Sequence, residues 1–239
     1  MVGLLVMAAL SLPPTVSGSE AGVEPEDGWA AVVAATARPA TRQVEARTCQ
    51  GYMQGTGFIV GGRVVTNRHL VNGATSVRVL GGGRSGDRAP DVEVSAGGNG
   101  LGLNFVATAE RDLAVGPVNS NGHGLALAAA DPPLGSPVVM IGWVDGTYRW
   151  LPGRVHLYAD GSSYDANGTV MLLDPVTAFG FSGGPVLDRD GRVVAVLMAI
   201  DMATDLTLAI PVSELSSWLD INLDKGRSTR CIGGTTGQG

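Results

Sequence analysis

Aromatic residues are scarce in this 239-residue chain, where Phe, Trp and Tyr together make up 5%. Charged side chains are few as well, at 16%, and acidic groups outnumber basic ones, leaving a formal net charge of −6 and a pI near 5.0. A nucleic-acid surface needs clustered Lys and Arg, and no such run exists, so that class of partner is excluded. Cysteine is limited to Cys49 and Cys231. Two thiols with no histidine nearby lack the ligands zinc requires, so no metal centre is expected. Histidine occurs only 3 times, which confines imidazole chemistry to His69, His123 and His156. The N-terminal apolar run, residues 1–12 (MVGLLVMAALSL), falls short of the roughly 20 residues a membrane-crossing helix needs.

Glycine, by contrast, is abundant at 36 residues, within a chain that is 44% hydrophobic. Short strands joined by glycine turns produce that balance and long helices do not. The length suits one globular unit or two small lobes sharing a site. After residues 1–12 come Pro13-Pro14 and then the small residues Val16, Ser17, Gly18 and Ser19, as at a signal-peptidase site. Residues 1–18 therefore read as an export signal or the remnant of a membrane anchor. A buried apolar segment is the competing reading, and no Lys or Arg precedes the run. In an exported chain an even pair of cysteines reads as one disulfide, the alternative being two separate thiols. Contact with a membrane is expected only through that N-terminus, and the chain is expected to be a monomer.

Residues 19–40 form a linker and N-terminal segment, acidic at first, in which residues 29–36 (WAAVVAAT) suit a short helix or a first strand. From Gln43 onward the pattern is of short strands. Gly57-Phe58-Ile59-Val60 ends at Gly61-Gly62, a hairpin signal, with Val64-Val65-Thr66 returning. Residues 76–80 and 91–95 alternate apolar and polar side chains, as half-buried strands do, and residues 105–115 hold another strand. An Asn/Gly-rich stretch at 119–124 connects two halves. Beyond it, residues 137–143, 153–158, 169–173, 185–187 and 192–199 read as five more strands, with Asp190-Gly191 turning between the last two. Residues 211–219 (PVSELSSWL) suit a terminal helix with Pro near its start. The expected fold is all-β: two antiparallel six-stranded barrels, residues 41–118 and 119–239, the second with a C-terminal helix and tail.

Nucleophilic acyl transfer by serine needs a base, a carboxylate that orients it, and N–H donors for the oxyanion. Ser182 lies in Gly180-Phe181-Ser182-Gly183-Gly184-Pro185, where glycines permit a tight turn and close approach. The N–H groups of Gly180 and Ser182 are the candidate oxyanion donors. The same stretch fits the G-x-S-x-G elbow of α/β-hydrolases, but that fold places its histidine after the serine, and all three histidines precede Ser182. A subtilisin-like order needs an acid before the histidine, and Asp27, in the acidic linker, is the only aspartate ahead of His69. The order His, Asp, Ser survives. His69 follows a strand directly; His123 lies in a polar loop and His156 in mid-strand. Of the eight aspartates between His69 and Ser182, Asp112 alone runs into an apolar strand, Leu113-Ala114-Val115, where an acid must be partnered. The candidate triad is His69, Asp112 and Ser182.

Gly55-Thr56-Gly57-Phe58-Ile59-Val60, Val65-Thr66-Asn67-Arg68-His69-Leu70-Val71, Asp112-Leu113-Ala114-Val115 and Gly180-Phe181-Ser182-Gly183-Gly184-Pro185-Val186 resemble, in order, the trypsin-like peptidases of HtrA/Deg type. Met140-Ile141-Gly142 and Ala209-Ile210-Pro211 extend the resemblance over about residues 43–220. A cysteine just before the GTGF strand and another near the C-terminus are similar to those of the actinobacterial periplasmic acid-resistance proteases. The resemblance implies a chymotrypsin-like fold, a serine endopeptidase acting on polypeptides without cofactor, a Cys49–Cys231 bridge, and a secreted or envelope location. It also implies a substrate pocket walled on one side by the loop Pro175-Val176-Thr177-Ala178-Phe179, with Val176, Thr177 and Ala178 at its centre, and on the other by Leu197, Met198 and Ala199. Those walls are uncharged, which suits an uncharged, aliphatic P1 side chain. Arg68 stands where the family has a small residue, and Phe181 where Asn or Asp commonly precedes the nucleophile. Activation by a new N-terminal amine therefore has no acid to pair with, and with the sequence ending at Gly239 no PDZ module is expected. The alternative reading is a catalytically silent binding protein on the protease fold.

Overall fold

The computed structural model describes residues 28–48, 51–81, 90–95, 105–108, 110–118, 123–164 and 166–222. Residues 1–18, expected as an export signal, the acidic linker up to residue 27, Cys49, Cys231 and most of the expected connection at 119–124 lie outside the described residues, together with the readings made on them.

Helix α1 (Gly28–Ala37) comes first. Ala and Val dominate it on all sides, which is why periodicity alone left helix and strand open. Its buried residues are Ala30, Val33, Ala34 and Ala37, a helical spacing that makes one stripe. The Tyr148 hydroxyl donates to Ala34 O at 2.6 Å, and burial pushes that phenol's pKa up. Beyond the helix, the Arg38 guanidinium lies 5.2 Å from the Tyr148 ring centroid and 5.9 Å from that of Trp143, a cation–π arrangement that ties the N-terminal segment to the second lobe.

The first lobe is one antiparallel sheet. It contains β1 (Thr41–Thr48), β2 (Gly51–Val60), β3 (Arg63–Asn67), β4 (Ala74–Leu80), β5 (Pro90–Ser95), β6 (Val106–Thr108) and β7 (Leu113–Pro117), with the single-turn helix α2 (Arg68–Val71) between β3 and β4. The strand order is β5-β4-β1-β2-β3-β7-β6, seven strands where six were expected. Gly61 and Gly62, at φ +56° and +75°, form the two-residue loop across which Val60 pairs with Arg63. Left-handed glycines at both positions match the twist a hairpin needs.

The second lobe is a closed barrel in the order β10-β13-β12-β11-β8-β9. Its strands are β8 (Pro137–Val144), β9 (Thr147–Asp160), β10 (Thr169–Asp174), β11 (Pro185–Leu187), β12 (Val193–Asp201) and β13 (Leu206–Pro211), and α3 (Val212–Asn222) follows. Strand β13 was not anticipated as an element of its own, and Pro211 closes it rather than opening the helix. The Asp190-Gly191 pair sits inside a longer connection, residues 188–192, where Gly191 N donates to Asp188 O. Strand β8 shows why the run PVVMIGWV is apolar at every position. Val138 and Met140 join one cluster, with Met171, Leu173 and Leu197, while Val139 and Ile141 join another. That second cluster also holds Ala30 and Val33 of α1, Phe58 and Val65 of the first lobe, and Leu215 and Trp218 of α3. A strand covered on both faces loses its alternation. The two lobes and both flanking helices thus share one apolar seam.

Candidate active site

Strand β3 delivers His69 to the lobe junction, one residue into α2. Opposite Asn67 in the β3–β7 ladder is Leu113, so Asp112 sits at the same end of the adjacent strand. Its carboxylate makes two bonds to one residue: Oδ2 lies 2.7 Å from His69 Nδ1, and Oδ1 accepts the His69 backbone N–H at 2.8 Å. The Asp112 carbonyl accepts from Arg68 N at 3.0 Å and from Asn67 Nδ2 at 3.1 Å. With Nδ1–H donating to the acid, Nε2 is left as the basic nitrogen. The Asp112 backbone adopts φ +46°, a left-handed conformation that Asp tolerates better than most residues. Four bonds to its backbone and side chain hold it there.

The nucleophile loop is built from the barrel side. Gly180 stands at φ +101°, and a Cβ there would come within 2.7 Å of Trp143 O, so only glycine fits. Phe181 N donates to Ala178 O at 3.2 Å, Gly184 N to Phe181 O at 2.8 Å, and Gly183 N to Leu197 O at 2.8 Å. A trans peptide directs its N–H opposite its carbonyl. Engaging the Phe181 carbonyl with Gly184 N therefore fixes the direction of the Ser182 N–H. Among the described residues the Gly180 and Ser182 N–H groups have no acceptor in the protein, the condition an oxyanion donor must meet. The Ser182 hydroxyl donates to Met198 O at 3.3 Å. Phe181, 6% exposed, is part of the barrel's apolar cluster. A Cβ on Gly142 would come within 2.7 Å of its ring.

His69, Asp112 and Ser182 line one cleft of about 620 Å³ between the lobes. Of the residues expected to wall the substrate pocket, Thr177, Ala178, Leu197, Met198 and Ala199 line it, and Val176 does not. Thr177 is pinned from below, its N–H donating at 2.7 Å to Oγ1 of the fully buried Thr207 on β13. Phe179, the last residue of the expected wall loop, stands 89% exposed at the cleft rim, while sequence reasoning missed Met53 and Gln54, just ahead of the GTGF motif, and Met202, 79% exposed. The only signal for these was adjacency to a motif. His156, exposed on β9, and His123, lining a separate groove beside α1, lie apart from the cleft.

Residues 55–196, more than half of the chain, match the trypsin-like peptidase domain family. The serine protease Rv3671c of Mycobacterium tuberculosis is 30% identical, over 72% of this chain and 43% of that protein. The chain thus spans less than half the length of the curated relatives it matches. Among solved structures, the active form of the M. tuberculosis Rv3671c protease superposes with a TM-score of 0.70 at 21% identity, covering 95% of this chain and 99% of that one. The HtrA-type protease AlgW with a tripeptide gives 0.65 at 19% identity, covering 80% and 63%. These two likenesses speak for the shared fold. The family match over both lobes, with its motifs in order, places this chain in the trypsin-like serine peptidase family, to which it belongs.

Proposed function

We propose that this chain is an exported serine endopeptidase that cleaves polypeptides through an acyl-enzyme, with His69 as base, Asp112 as its orienting acid and Ser182 as nucleophile. The observation that carries the reading is the two-point grip of Asp112 on His69, in a cleft that also holds Ser182 and two N–H groups without an acceptor among the described residues. In this reading the Ser182 hydroxyl turns from Met198 O toward His69, whose Nε2 takes the proton as Oγ attacks the scissile carbonyl carbon. The oxyanion is received by the Gly180 and Ser182 N–H groups. His69 then returns the proton to the leaving amine, the C–N bond breaks, and an acyl-Ser182 ester remains. Water attacks that ester with His69 again as base, releasing the acid and restoring Ser182. Export by residues 1–18, a secreted or envelope location and a Cys49–Cys231 bridge belong to the same proposal.

The proposed P1 walls, Thr177, Ala178 and Leu197 to Ala199, carry no charge of their own, although Arg68 and Glu110 line the same cleft, and a charged P1 side chain held against these walls would lose hydration. Peptides with P1 Leu and P1 Arg assayed side by side test this. Cleavage after Leu, abolished in Ser182→Ala, is expected, and a strong preference for Arg would sink the specificity. The alternative, a catalytically silent binding protein, draws on one observation: the Ser182 hydroxyl bonds to Met198 O.

A further inference from the structure

The GTGF motif marks the family, yet none of its residues is part of the triad, the oxyanion donors or the pocket walls. Thr56, its second residue, is fully buried on β2 of the first lobe, but most of its polar contacts reach across to the second. Its hydroxyl donates to Gly180 O at 2.7 Å and accepts the Trp143 N–H at 2.7 Å. Its own N–H donates to Ser182 O at 2.8 Å, and its carbonyl accepts the Thr66 hydroxyl at 2.7 Å. Hence one residue holds the carbonyls of Gly180 and Ser182, the two positions whose N–H groups have no acceptor among the described residues.

We propose that Thr56 is a positioning residue for the oxyanion site: its hydroxyl sets the Gly180–Phe181 peptide from the opposite lobe. The inference rests on the proposed peptidase reading. The physical argument is one of rotation. Gly180 has no side chain to restrain it, and glycine visits many backbone states at similar energy. With its carbonyl unanchored, the Gly180–Phe181 peptide keeps only the longer 3.2 Å bond from Phe181 N to Ala178 O among the described residues; when it turns, the neighbouring N–H groups turn with it. The Thr56 hydroxyl removes that freedom by bonding the carbonyl. The bond it accepts from Trp143 N directs its own proton away from β8 and toward Gly180. Thr66, from β3, holds the Thr56 backbone in the same way that Asn67, from that strand, holds Asp112. One short strand thereby sets both the acid and the oxyanion loop.

The test compares wild type with Thr56→Val, which keeps the shape and deletes the hydroxyl, and Thr56→Ser, which keeps the hydroxyl. Thr56→Ala is the second deletion, should valine not fit. Two readouts are taken on each: kcat and KM on a P1 Leu peptide, and amide hydrogen exchange over residues 178–184. Deleting a donor from an oxyanion site costs about 10²–10³ in kcat, and an indirect loss is expected at about 10- to 100-fold. The proposal predicts such a fall in kcat with KM little changed, faster exchange confined to the loop, and recovery of both in Thr56→Ser. Wild-type kcat in the deletions, a loss carried by KM, or equal loss in Thr56→Ser would overturn it. If wild type neither cleaves the peptide nor labels at Ser182, the peptidase reading falls instead, and the exchange data still decide whether Thr56 orders the loop.

Discussion

Asp112 carries the greatest demand of any residue in the cleft, since a left-handed backbone at a non-glycine position costs on the order of 1 kcal/mol or more. In return, the conformation aims one carboxylate at both the ring and the backbone N–H of His69. Asp112→Asn keeps the shape but presents an amide to Nδ1 and no longer selects the productive tautomer. Turnover is expected to fall by about 10⁴-fold, in line with other triads, with the melting temperature changed far less. A fall below tenfold in steady-state kinetics would contradict the assigned role. Phe181 illustrates what a sequence hides at this scale. It reads as a departure from an Asn or Asp, whereas its ring is a core side chain seated against Gly142. Phe181→Ala is predicted to lower stability by about 3–5 kcal/mol, read by denaturant titration. Gly142→Ala, which pushes on the same ring, is expected to destabilise as well. The candidate triad could be proposed because chain order eliminates the other folds; the fit of Phe181 to Gly142 could not, because only the closed barrel brings them together.

At the scale of elements, the loop before β7 is tied to the far lobe by Arg111. Arg111 Nε lies 2.6 Å from Glu214 Oε2 on α3, with side chains 29% and 15% exposed. Glu214 is fixed in turn by Thr169 N at 3.1 Å, and Asn167 N donates to Glu110 O. The C-terminal helix therefore braces the loop that holds Asp112. Breaking a partly buried pair from one side strands the other charge, so Glu214→Gln is expected to cost about 1–3 kcal/mol in thermal unfolding. Arg111→Met with Glu214→Leu, which removes both charges, should cost less than the sum of the single changes, and additive losses in that cycle would contradict a direct tie. Helix α3 and the Gly61-Gly62 hairpin were readable from local signals. Strand β13 was not, because residues 206–211 run straight into the helix without a turn residue. The β8–β9 hairpin has its turn at Asp145-Gly146, both at positive φ. That Asp-Gly signal is a strong one, but the return strand was expected only from Gly153, whereas β9 begins at Thr147 directly after the turn. The choice of helix for α1 depends on the β8–β9 surface it packs on, which lies more than 100 residues away in the chain.

At the largest scale, the described residues form two β lobes whose facing edges each supply part of one cleft. The first gives His69, Asp112 and Thr56; the second gives Ser182, its loop and the uncharged pocket walls. Two antiparallel lobes were legible from strand count and a central polar connection, while the seventh strand and the shared seam with both helices were not, since they depend on long-range pairing. The central claim is that these halves make a working nucleophile, and fluorophosphonate labelling with mass mapping of the adduct tests it most directly. Labelling of the folded chain at neutral and acid pH is predicted to give one adduct, on Ser182, absent from Ser182→Ala and from His69→Ala. No adduct on folded protein at either pH, or an adduct that survives in Ser182→Ala, would contradict the account.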